Sequence, residues 1–87
     1  MSTNTIKLPK WFKGSLYNEG ATVRNRFSGE EYELNNVELS MYDFIIGCQM
    51  VFEMSPQTVT TGKVRDFQRG LNWFRKNNVE AYMILLD

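Results

Sequence analysis

The chain has 87 residues, with ten Lys/Arg against ten Asp/Glu and no histidine. That length suits one small domain with a single two-layer core, whose burial is marginal without help such as oligomerisation. Zero net charge removes any global pull toward nucleic acid or acidic lipid, and the absence of histidine excludes Ser/His and Cys/His nucleophilic pairs and imidazole metal ligands.

Charge is nevertheless uneven along the chain. Residues 1–30 carry five bases against two acids, 31–54 five acids and no base, and 55–87 five bases against three acids. Six Phe, four Tyr and two Trp argue against disorder. The single Cys48 excludes an intramolecular disulfide and fits a reducing compartment. Met1 to Thr5 lack the regions of a signal peptide, and no apolar run reaches the ~20 residues of a bilayer span, so a cytoplasmic setting without membrane contact is expected.

Residues 1–9 read as a flexible arm. From Trp11 to Tyr17 an extended strand is expected, because Pro9 forbids a helix through the segment. Asn18-Glu19-Gly20 supplies a turn with glycine where a positive φ is needed. Thr22 to Phe27 and Glu30 to Leu34 form a hairpin around Ser28-Gly29. With a two-residue loop, Arg26 opposes Glu31, Arg24 opposes Glu33, Val23 faces Leu34 and Asn25 faces Tyr32. A bulged loop is the other form this turn allows.

The most apolar stretch, Ser40 to Met54, predicts the central helix, capped by Ser40 and ended by Ser55-Pro56. Met41, Phe44, Ile45, Cys48, Val51 and Phe52 fill its core arc, while Ile46, Met50 and Met54 lie on the opposite side among polar residues. A helix apolar nearly all round requires cover on both sides. These three residues are therefore the expected self-association strip of a two-fold dimer, with cover by the last helix as the competing explanation.

A second helix, capped by Thr60 or Thr61 and running from Gly62 to Asn77, carries Val64, Phe67, Leu71 and Phe74 as its buried stripe. Gly70 borders the stripe and permits a close approach. Arg65, Arg69 and Lys76 face away from it with Trp73 at its border, a set able to hold phosphates and stack a base; the competing reading is a solvated face with Trp73 covering the edge of the core and Arg69 over its ring. Residues 79–86 suit a short helix by composition and a strand by length; Asn78 as a cap with Glu80 in the first turn favours the helix. No phosphate loop or zinc pattern is present, and Glu30, Glu31, Glu33, Glu38 and Asp43 read as solvated or salt-bridged acids.

Asn25 to Glu30 with Val37 to Phe44, and the ending Trp73 to Asp87, resemble small uncharacterised proteins encoded by tailed phages of marine cyanobacteria. The resemblance implies a host-cell cytoplasm and no known activity, and carries over no functional residues. The expectation is thus a single α+β domain over 1–87. An N-terminal antiparallel meander of two or three strands packs on a central hydrophobic helix, followed by an amphipathic helix and a short C-terminal one. Its expected role is a non-enzymatic, self-associating interaction module without a cofactor, acting on a host or phage protein. The alternative is a weak nucleic-acid binder, and an enzyme built from the acidic middle ranks third.

Overall fold

A computed structural model describes residues 8–12, 14–25 and 27–86. Residues 1–7 of the expected arm, Lys13 and Arg26 lie outside the described residues. Two antiparallel strands, β1 (Ala21–Arg24) and β2 (Glu31–Leu34), precede the central helix α1 (Asn36–Met54). A 3₁₀ turn at Pro56–Thr58 leads to α2 (Thr61–Asn77), then the single helical turn α3 (Val79–Ala81) and a π-helical turn at Tyr82–Leu86. The fold is α+β, as the hydrophobic patterning requires.

Helix α1 is capped five residues before the expected position. Asn35 is its N-cap: Asn35 Oδ1 accepts from Glu38 N–H at 2.8 Å and Glu38 Oε1 accepts from Asn35 N–H at 3.0 Å, a reciprocal capping box. Ser40, expected as the cap, is instead buried inside the helix. Its hydroxyl donates to Asn36 O at 2.7 Å and accepts from Tyr17 N–H at 2.9 Å, while Asn36 Nδ2 donates to Tyr17 O at 3.2 Å. Both backbone polar groups of Tyr17 are thereby engaged by α1 side chains. They do not join a strand ladder, and the described residues between Trp11 and Tyr17 contain no strand.

The hairpin forms with its register moved by two residues. Arg24 pairs with Glu31, Val23 with Tyr32 and Ala21 with Leu34, so Arg24 meets Glu31 at 3.0 Å in place of Glu33. A shift of two leaves every side chain on its face, which is why the patterning is satisfied by both registers. The loop decides between them. Asn25 Oδ1 accepts from the N–H groups of Phe27 and Ser28, and Gly29 adopts φ 81°, closing a longer loop. Gly20 has no positive φ; glycine is required there because a Cβ would sit 2.0 Å from Leu34 O.

Helix α2 starts where expected, with Thr60 Oγ1 accepting from Lys63 N–H at 3.1 Å. Phe67, Leu71 and Phe74 pack on the core at the inner arc of α1, burying Phe74 completely and setting Phe67 edge-on to Phe52 at 5.1 Å, whereas Val64, expected in the buried stripe, is exposed in the first turn of α2. Gly70 lies at the crossing, where a Cβ would stand 3.0 Å from Ile45 Cγ1 and 3.4 Å from Met41 Sδ. Leu34, Met41, Ile45, Phe74, Ala81 and Leu85 form the buried core.

A buried carboxylate ties the two ends of this core together. Glu38, 7 % exposed, accepts from Asn78 Nδ2 at 2.9 Å through its second oxygen, and Asn78 Oδ1 caps α3 by accepting from Ala81 N–H at 3.1 Å. Glu38 is therefore a joint between α1 and the C-terminal turns, not the solvated acid expected. The hairpin loop is joined to the same turns by Asn25 Nδ2 donating to Ile84 O at 2.9 Å.

Replacing Gly70 by leucine is expected to overpack this crossing and lower stability by about 1–3 kcal/mol. Gly47, on the outer arc with no atom within 4 Å of a would-be Cβ, gives the opposite result: Gly47→Ala is expected to raise stability by about 1 kcal/mol through helix propensity. Urea midpoints at unchanged m-value measure both.

Candidate functional site

Two surfaces bring the sequence-derived candidates together. The first is the outer arc of α1, where Met50 is 52 % and Met54 75 % exposed. Ile46 is half-buried, and with Met50 it lines a cleft of about 170 Å³ between α1 and the hairpin tip, whose Phe27 is 88 % exposed. Gln49 and Glu53 of α1 and Leu85 of the terminal turn complete its walls. The C-terminal segment packs over Phe74 and Leu34 in the core and leaves Met50 and Met54 in solvent.

The second surface is a shallow groove on the outer side of α2, lined by Trp11, Arg69, Asn72, Trp73, Lys76 and Asn77. Three of the four residues singled out on this helix meet here; Arg65 does not line the groove and lies 4.0 Å from Asp66. The Arg69 guanidinium stands 6.0 Å from the Trp11 ring centroid, not over Trp73 as expected, and 3.7 Å from the Asp66 carboxylate. Trp11 is the member that local patterning does not reveal. It arrives from a turn closed by Phe12 N–H on Pro9 O, and its ring is held against Phe44 of α1 at 6.0 Å.

The acidic middle is dispersed. Glu31 pairs with Arg24, Glu38 serves the capping box, and Asp43 hydrogen-bonds the Tyr17 hydroxyl. That bond, with the carboxylate's charge, raises the Tyr17 phenol above its usual value. The neutral phenol is the favoured partner, so this contribution to folding is present below about pH 10 and fades as the pH climbs through the raised value. Among the described residues no group of three or more acids or cysteine could hold a metal ion, and no helix is long and apolar enough to cross a membrane.

No protein-family model, curated protein or solved structure matches the chain. The site rests on its own geometry.

Cys48 is buried on the inner arc of α1, and burial pushes its thiol above the ordinary range, with Lys63 opposing and Asp66 adding to the shift. The neutral thiol is thus favoured in the fold. Its stabilisation holds below the ordinary thiol value and is lost as pH rises through the raised one. Modification by an aromatic disulfide reagent at pH 8 is expected to be at least about 100-fold slower in the folded protein than in urea, because the thiolate must first be exposed. Equal rates would mean that Cys48 is open to solvent.

Proposed function

We propose that this chain is a non-enzymatic interaction module that works as a two-fold dimer through the outer arc of α1, in the phage-infected cytoplasm that the resemblance implies. The observation carrying this reading is the exposure of Met50 and Met54 beside half-buried Ile46, on a helix whose inner arc buries Met41, Ile45 and Cys48 in the core. Flexible methionines on an uncovered helix face suit a packed contact better than they suit water.

Self-complementarity favours a second copy over an unrelated partner. Antiparallel pairing of two α1 helices about Met50 sets Ile46 opposite Met54 of the other copy. The same register sets Glu53 opposite the uncharged Gly47 and leaves Asp43 beyond Met54, the last residue of the partner's helix, so neither acid is set opposite another acid on that helix. A helix from a host or phage protein fits the same apolar strip but draws no support from this register.

Sedimentation equilibrium tests the reading. The wild type is expected to be dimeric at tens of micromolar. Met50→Asp, counted twice in a two-fold contact, is expected to weaken association by about 100-fold or more while leaving helical circular dichroism unchanged. A wild-type monomer at millimolar concentration, or a Met50→Asp dimer as tight as the parent, would overturn it.

A further inference from the structure

Net neutrality hides a polarised molecule. Helix α1 carries three acids and no base, whereas α2 carries five bases against one acid. On the outer side of α2, Asp66 is shared between Arg65 and Arg69, and Lys76 makes no ion pair among the described residues. This face is locally cationic although the chain as a whole is not.

The groove on that face combines three kinds of group. Trp11 and Trp73 supply aromatic surfaces, each half-buried and each seated on a further ring: Trp11 against Phe44 at 6.0 Å and Trp73 edge-on to Phe74 at 5.7 Å. Their positions are therefore fixed by the core and need no ordering when a ligand arrives. Arg69 and Lys76 supply positive charge at the same rim, and Asn72 supplies an amide that makes no side-chain hydrogen bond among the described residues. Asn77 is fixed by donating from Nδ2 to Trp73 O at 2.8 Å.

We propose that this groove binds single-stranded nucleic acid, with an unpaired base stacked on the indole surfaces and the flanking phosphates held by Arg69 and Lys76. Stacking surfaces placed beside cations match a strand whose bases are free to turn outward. A duplex keeps its base faces covered and offers only phosphates. Asn72 has the donor and acceptor needed to meet a base edge. The proposal is independent of dimerisation, since the groove shares no residue with the α1 strip.

The chain contains two tryptophans and both line the groove, so intrinsic fluorescence reports the site directly. Titration of the full chain with a fifteen-nucleotide oligothymidylate in low salt is expected to quench that fluorescence with a micromolar dissociation constant. Two phosphate contacts imply that affinity falls about sevenfold between 50 and 200 mM salt. Arg69→Gln combined with Lys76→Gln, both at exposed positions, is expected to weaken binding at least about tenfold, whereas Lys63→Gln, elsewhere on α2, leaves it unchanged. A duplex of the same length and thymidine monophosphate are expected to bind at least about tenfold more weakly. Absence of quenching at 100 μM oligonucleotide, equal affinity for duplex, equal affinity for the mononucleotide, or undiminished binding by the Arg69→Gln, Lys76→Gln variant would each overturn the proposal.

Discussion

The structure depends on how closely α2 can approach the inner arc of α1. Gly70 removes the one side chain that would hold the helices apart, and Ile45 and Met41 occupy the space it leaves. Phe74, one turn further along, then becomes completely buried together with Met41 and Ile45. Burying side chains of this size contributes about 1.5–3 kcal/mol each, a large share of a small domain's net stability of about 5–15 kcal/mol. Everything C-terminal follows from that placement. The end of α2 is carried to the start of α1, where Glu38 receives Asn78, and the terminal turns are set against Leu34.

Because α2 and the terminal turns occupy the inner arc, the other segments are held at its margins. The chain around Trp11 and Phe12 packs on Phe44, and the hairpin rests on the terminal turns through Asn25. The hairpin tip and Leu85 share a cleft with Met50, but none of these elements covers it or Met54, which stay exposed. An exposed apolar strip and a basic groove on the outer side of α2 are both consequences of one packing decision, made at a glycine.

Much of this was legible in the residues. The spacing of Val64, Phe67, Leu71 and Phe74 placed α2 almost to the residue, and Asn78 marked the start of the terminal turns. The start of α1 is not legible in its apolar run, because that run begins after the helix does. The informative signal was Asn35 followed three residues later by Glu38, a capping box lying in a polar stretch. The hairpin register failed for a different reason. Strand patterning has a period of two, so a displacement of two residues changes no face, and only the side-chain turn at Asn25 selects the longer loop. Trp11 was invisible as a member of the α2 groove for want of any local pattern: it lies 58 residues from Arg69 and is brought there by packing on Phe44. Arg65 shows the converse, sharing a helix face with Arg69 and Lys76 without reaching the groove.

The central claim is that the chain completes one side of α1 and a second copy completes the other. Pulsed electron-electron spin resonance on Glu53→Cys, spin-labelled in a Cys48→Ser background, tests it most directly. Antiparallel helices with axes about 8–10 Å apart and a two-fold axis at Met50 place the two labels about 15–25 Å from each other. The account predicts that short distance at position 53 and none at a label introduced by Lys76→Cys. A dipolar signal absent at position 53, or short at position 76 instead, would contradict it.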